Sequence, residues 1–91
     1  MANGISVERT GLQAGVQVCK TCIHELQSTA RSLQNSYRNA GSGWKDENYA
    51  KLGGIVDECL EALNEPIPDI EDSMNTLNEM LRIMTLAEEV F

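Results

Sequence analysis

Apolar residues between positions 12 and 37 recur in strictly alternating steps of four and three residues. The set is Leu12, Val16, Cys19, Ile23, Leu26, Ala30, Leu33 and Tyr37. Such steps keep side chains on one face of an α-helix and are typical of helices that pack lengthwise against another helix. The pattern therefore predicts one long amphipathic helix, at about residues 5–40.

The second half of the chain has a seven-residue period. One series is Tyr49, Val56, Leu63, Ile70, Leu77, Met84 and Phe91, and a companion series is Leu60, Ile67, Met74 and Leu81. Together they predict a second helix, at about residues 46–90, whose apolar seam packs against that of the first. Pro66 and Pro68 each remove a helical hydrogen-bond donor, so we expect a kink at about residues 64–69 that leaves the heptad phase intact.

The connection between the helices, at about residues 41–45, contains a Gly-Ser-Gly run and the only tryptophan, Trp44. Gly41 suits the position that follows a helix end. Asp46 suits the capping position of the second helix, where a carboxylate accepts hydrogen bonds from free backbone N–H groups. An indole at such a turn can cover the ends of both helices, so Trp44 is interpreted as an apolar plug.

A connection this short makes the two helices antiparallel, and a midpoint at residue 43 pairs residues whose numbers add up to about 86. The facing pairs are then Tyr37 with Tyr49, Ile23 with Leu63, Leu12 with Met74, and Ile5 with Leu81. A slip of half a heptad would align the same seams, so the length of the connection decides the register.

Two adjacent glycines, Gly53 and Gly54, lie inside the predicted second helix. Each costs about 1 kcal/mol relative to alanine in a helix interior. Two interpretations stay open: a weak spot in the helix, or the close approach of a neighbouring backbone opposite Leu33.

The second helix also carries apolar residues beside its seam, and these make its stripe wider than one neighbouring helix covers: Leu52, Cys59, Met80 and Ile83. A lone pair of helices buries little area per residue. We therefore predict an all-α protein in which residues 1–91 form one antiparallel two-helix hairpin with a kinked second helix. This hairpin is expected to associate with another one into a four-helix bundle.

The charge of the chain excludes some classes of partner. Its net charge is −7, whereas nucleic-acid backbones require a basic face. Residues 1–43 carry a balance of +2 and residues 44–91 a balance of −9, so the two halves should attract each other. No apolar run follows a basic region in residues 1–11, and no stretch approaches the length of a membrane span, so we expect neither a cleavable leader nor a membrane anchor.

Cys19-Lys-Thr-Cys22, His24 and Cys59 are the residues that could form a metal or redox site. The register separates Cys59 from Cys22 by about five residues along the axis, too far for a disulfide. We expect reduced thiols and no metal or cofactor, and the acidic residues of the second helix are expected to form a solvated face. No nucleophile elbow, phosphate loop or HExxH motif is present, so an enzyme is not expected.

The length, the two antiparallel helices and the turn Gly43-Trp44-Lys45-Asp46 with nearby Tyr49 resemble the WXG (Trp-x-Gly) family of small type VII secretion proteins. The chain also resembles the Lap-type relatives of this family, which are the small helical partners of LXG toxins. Lys45-Asp46 stands where the family pattern has x-Gly. The Tyr-x-x-x-Asp/Glu signal that exported members carry near the C-terminus is matched here only in spacing, by Met84 and Glu88 in the segment that ends at Phe91.

The resemblance implies a protein made in the cytoplasm that is either exported without a cleavable signal peptide or escorts a larger LXG-type effector. It also implies that Trp44 is a recognition element, which is compatible with the plug. The expected partner is another helical hairpin, in a homodimer or in a heterodimer with the helical N-terminal domain of an LXG toxin. The alternatives are a cytosolic structural or regulatory adaptor and a thiol or metal module on the cysteines.

Overall fold

The computed structural model describes residues 7–90, apart from the side chain of Val90. Three α-helices account for most of this range: α1 (Arg9–Ala40), α2 (Glu47–Asn64) and α3 (Ile67–Val90). The described residues form no strand, and the predicted all-α class is confirmed. α1 begins at Arg9, later than the sequence suggests, because Val7 and Glu8 are not helical. Ile5 and Phe91, both assigned to the seam, lie outside the described residues.

The second helical stretch is interrupted at Glu65 and Pro66, within the segment where the sequence predicts a kink. Glu65 keeps helical backbone angles (φ −54°, ψ −44°), and its N–H donates to the carbonyl of Glu61 at 2.9 Å. Pro66 has no N–H to continue the ladder, so α2 ends there. Pro68 lies in the first turn of α3, where a missing N–H leaves no helical bond unmade. The predicted kink is therefore confirmed.

The described chain divides into two compact units. The first contains the described residues up to Cys22 together with those from Asp69 onward, and the second contains Ile23–Pro68. Three hydrophobic side chains are buried: Leu12 and Val16 in the first unit and Val56 in the second. The other described members of the seam are half-buried, and most residues between them are exposed. The seam thus lies on the packed side of each helix, but few of its members are fully covered.

The predicted register holds at one end of the seam and is wrong at the other. In the second unit Tyr37 faces Tyr49, as predicted. In the first unit the same register would set residue 71 opposite Gly15, yet the side chain of Leu77 lies there, with its Cδ1 3.0 Å from where a Cβ on Gly15 would be. Six residues correspond to about 9 Å along a helix. The prediction of one register for the whole seam assumes that residues 46–90 form one uninterrupted helix. The break at Pro66 divides this stretch into two helices, so the register changes between them.

Gly53 and Gly54 differ although they are neighbours. A Cβ on Gly53 would meet the side chain of Tyr37, with the ring Cζ only 3.0 Å away, whereas a Cβ on Gly54 would have nothing within 4 Å. The close approach proposed from the sequence therefore applies to Gly53, and the approaching group is a tyrosine ring from α1, not a backbone. Gly54 is a weak spot in the helix.

Substitution of each glycine by alanine should have opposite effects. We expect Gly54→Ala to stabilise the fold by about 0.5–1 kcal/mol, because alanine is the better helix former and meets open space. Gly53→Ala should destabilise it by about 1–3 kcal/mol, because its methyl group collides with Tyr37. In a chain of this size about 1 kcal/mol shifts Tm by about 4–8 °C, which thermal melting followed by circular dichroism resolves. Equal shifts for the two variants would contradict the packing described at Gly53.

Candidate functional site

Two tyrosine–glycine pairs with the same sequence spacing hold the turn between α1 and α2. Tyr37 precedes Gly41 by four residues, and Tyr49 precedes Gly53 by four residues. The two tyrosine rings stack almost in parallel, with centroids 4.2 Å apart and an interplanar angle of 3°. We call these four residues the tyrosine clasp.

The hydrogen bonds of the tyrosine clasp are reciprocal. The hydroxyl of Tyr37 donates to the backbone carbonyl of Tyr49, and the hydroxyl of Tyr49 donates to the backbone carbonyl of Tyr37, both at 2.8 Å. The carbonyl of Tyr37 lies in the last turn of α1 and also accepts from the N–H of Gly41 at 3.2 Å, so both of its lone pairs are used. Each ring therefore fixes the backbone of the opposite helix at the turn.

Both glycines of the clasp make room for the opposite tyrosine. A Cβ on Gly41 would lie 2.7 Å from Cζ of Tyr49, which is too close. In the same way, a Cβ on Gly53 would collide with Tyr37. Gly41 follows α1 directly, where the sequence expects a glycine, but its backbone is not in the left-handed region. Its role is to let the Tyr49 hydroxyl reach the end of α1.

Burial raises the pKa of the Tyr37 hydroxyl above its ordinary value, and the side chain of Tyr49 acts in the same direction. A raised pKa keeps the hydroxyl protonated, which its hydrogen bond to the Tyr49 carbonyl requires. The raised pKa of Tyr37 therefore favours the protonated hydroxyl that donates this bond.

Trp44 packs against the tyrosine clasp and is partly exposed to solvent. Its indole meets the Tyr49 ring edge-on, with centroids 5.4 Å apart and an interplanar angle of 67°. This geometry is favourable for aromatic pairs. The side chain nevertheless remains 39% exposed, and Gly43 beside it is exposed too. Trp44 therefore combines a packed edge with a surface available to another molecule.

Asp46 caps α2, as the sequence predicts. Its backbone is extended (φ −123°, ψ −170°), and its carboxylate accepts a hydrogen bond from the N–H of Tyr49 at 3.0 Å. That hydrogen bond lowers the pKa of Asp46, with a smaller effect in the same direction from the Trp44 side chain. The cap thus fixes the backbone of the residue that carries the second clasp ring.

The segment with the spacing of an export signal lies in the first unit. Met84 is half-buried, and the carboxylate of Glu88 forms an ion pair with Arg9 at 2.6 Å. The guanidinium of Arg9 also donates to the hydroxyl of Thr85 at 3.1 Å. The hydrogen bond to Glu88 raises the pKa of Arg9. Phe91, the third residue assigned to this signal, lies outside the described residues.

The three cysteines are free thiols: Cys19 is half-buried, and Cys22 and Cys59 are exposed. His24 is exposed as well. Between residues 7 and 90 no three histidine, cysteine or acidic side chains are grouped so that they could hold a metal ion. None of the helices described here is both long enough and apolar enough to cross a membrane.

No protein-family model matches the chain, and comparisons with characterised proteins and with solved structures find no match either. Function is therefore inferred from the geometry of the chain's own residues. Sequence reasoning identified Trp44, Asp46 and the pairing of the two tyrosines, but it missed the reciprocal hydrogen bonds and the ion pair of Arg9. The repeated Tyr-x-x-x-Gly pattern was the available signal for the tyrosine clasp.

The lowered pKa of Asp46 gives the cap a defined pH dependence. A depressed carboxyl pKa contributes stability that is present above the pKa of the unfolded chain and is lost as the pH falls through the lower, folded value. Asp46→Asn keeps a capping side chain but cannot titrate. We expect the Tm of the wild type to fall more steeply than that of Asp46→Asn between about pH 5 and pH 2. Parallel curves would show that the Asp46 carboxylate does not stabilise α2.

Proposed function

We propose that the protein is a non-enzymatic, WXG-like component of the type VII secretion pathway. It folds as an antiparallel helical hairpin, acts by binding another helical hairpin, and is either exported itself or escorts a larger LXG-type effector. The observation that carries the proposal is a hydrogen-bonded turn that presents a partly exposed indole, with Trp44 packed on Tyr49 and 39% exposed.

The rigidity of the turn supports recognition through Trp44. The tyrosine clasp joins α1 to α2 through two side-chain hydrogen bonds, and Asp46 fixes the first turn of α2. An aromatic residue held in place loses little conformational entropy on binding, which is why tryptophan is frequent among residues that dominate binding energy. A residue that served only as a plug would be expected to bury more of its surface.

Exposed apolar residues support a helical partner. In the second unit Leu52 and Ile55 are exposed on α2, three residues apart, and Cys59 is exposed four residues further on. This spacing places them on one side of the helix, next to the seam. A partner hairpin packed there would complete a four-helix bundle in which both the seam and this stripe are covered.

The ion pair of Arg9 favours a second candidate function. Glu88 is the acidic residue that the export spacing would offer to a receptor, and its carboxylate is engaged by Arg9. A cytosolic helical adaptor without an export signal is compatible with this engagement. An escort whose effector supplies the signal is also compatible.

Export tests the proposal directly. In the source cells, tagged protein should reach the culture medium only when the type VII ATPase is present, with a cytoplasmic enzyme as the lysis control. Trp44→Ala should weaken the complex with the effector or secretion machinery by about 30-fold, the effect of losing one dominant binding residue, while Tm stays close to that of the wild type. The affinity of Trp44→Phe for the same partner should lie between those of the wild type and Trp44→Ala. Equal amounts in the medium with and without the ATPase, together with no effector bound in the cytoplasm, would overturn the proposal.

A further inference from the structure

Arg9 occupies a position of the apolar seam, three residues before Leu12, where the other described seam residues of α1 are uncharged. Its side chain is only 33% exposed, and a charge that is partly withdrawn from water needs polar partners. The guanidinium finds them on α3: Nη2 donates to the carboxylate of Glu88 at 2.6 Å, and Nη1 donates to the hydroxyl of Thr85 at 3.1 Å. Arg9 thus joins the first residue of α1 to the last two turns of α3.

The contact of Arg9 also distinguishes between two registers of the first unit. The register predicted from the turn would set Leu77 opposite Arg9, and an apolar side chain offers a guanidinium no acceptor. In the structure Leu77 lies against Gly15 instead, and Arg9 meets Thr85 and Glu88. The two registers differ by about one heptad, which the seven-residue period of the apolar series leaves open. The partners of Arg9 are therefore specific to the observed position of α3.

The last residues of α3 have few other attachments. Met84 and Thr85 are half-buried, whereas residues 86–89 are all exposed. Among the described residues, the hydrogen bonds that join this end of α3 to another helix all come from Arg9. A helix end that buries few side chains opens at a low cost in free energy. The bonds of Arg9 therefore decide how often this end is closed.

The pair of Arg9 and Glu88 is open to competition from solvent. The side chain of Glu88 is 62% exposed, so a cationic group on another molecule can reach the carboxylate and replace Arg9. An exposed ion pair shifts an equilibrium by about 5-fold at most, which the binding of a partner outweighs. The contact is thus strong enough to favour a closed state and weak enough to be opened.

We propose that the contact of Arg9 with Glu88 and Thr85 is a latch. Closed, it holds the last two turns of α3 on α1 and occupies the carboxylate of Glu88. A cationic group on a receptor opens it by binding Glu88, and the end of α3 is then free to be recognised. The latch rests on the proposed function in one respect, the role of Glu88 as the acid that an export receptor binds, and adds the contact that regulates it.

Hydrogen exchange of the full chain, read by mass spectrometry on a peptide that contains residues 84–90, measures the latch directly. Arg9→Gln removes the charge and should speed exchange of this peptide by about 3- to 5-fold. Thr85→Val keeps the shape of the side chain, removes one acceptor and should give a smaller increase. Arg82→Gln is the matched control, because it breaks an arginine–glutamate pair that lies within α3, and its exchange should stay close to that of the wild type.

Charge reversal separates the latch from a general effect of the side chain at position 9. Glu88→Arg alone brings two like charges together and should open the latch. Combining it with Arg9→Glu restores an ion pair in the opposite sense, so exchange should return towards that of the wild type. Wild-type exchange in Arg9→Gln, or a double variant that exchanges as fast as Glu88→Arg alone, would overturn the latch.

Export measures what the latch regulates. If only the open state is recognised, Arg9→Gln should increase the ATPase-dependent amount of tagged protein in the medium by up to about 5-fold. Glu88→Gln also opens the latch but removes the carboxylate, so its export should not exceed that of the wild type. Unchanged export of Arg9→Gln in spite of faster exchange, or equal gains for the two variants, would overturn the release of Glu88 as the regulated step.

The latch and the proposed function fail separately. Faster exchange in Arg9→Gln, from a protein that neither reaches the medium nor binds an effector, supports the latch and overturns the secretion role. ATPase-dependent export of the wild type, with the same exchange in wild type and Arg9→Gln, supports the secretion role and overturns the latch.

Discussion

Two tyrosines, each bonded to the backbone carbonyl of the other, hold the turn between α1 and α2. A backbone carbonyl has two lone pairs, so one that serves its own helix can accept a second hydrogen bond from a side chain. The hydroxyls of Tyr37 and Tyr49 donate these second bonds, while their rings stack between the helices. The interaction depends on Gly41 and Gly53, since any larger residue at either position would occupy the space of a tyrosine ring.

The position of Trp44 follows from this arrangement. Because the N–H of Tyr49 is bonded to Asp46 and its ring is stacked on Tyr37, the edge that meets Trp44 is fixed in position. The indole therefore packs on a ring that the hydrogen bonds of the turn hold in place. Elsewhere the helices bury three large hydrophobic residues among those described and leave others exposed, and the proposed partner would cover some of the exposed ones.

The helices, the kink, the cap at Asp46 and the facing of Tyr37 and Tyr49 could be predicted because each depends on local spacing along the chain. The register of the first unit, in which Leu77 lies opposite Gly15, could not be predicted. Leu77 follows the break at Pro66, and apolar periodicity does not show how a break changes the path of a helix. The reciprocal hydrogen bonds were missed for a different reason: they depend on how far a side chain reaches across to another helix. The bonds of Arg9 were missed for the same reason. They join this charged residue near the seam to the side chains of Glu88 and Thr85.

A double-mutant cycle with Tyr37→Phe and Tyr49→Phe tests the central role of the tyrosine clasp most directly. Phenylalanine keeps the stacked rings and removes only the hydroxyls, so the free energy of unfolding, measured by urea titration, reports on the reciprocal bonds. We expect each single variant to be less stable than the wild type. We also expect the double variant to lose less stability than the two single losses combined, because removing either hydroxyl already weakens the bond made by the other. Strictly additive losses, or variants as stable as the wild type, would contradict the clasp as the interaction on which the turn depends.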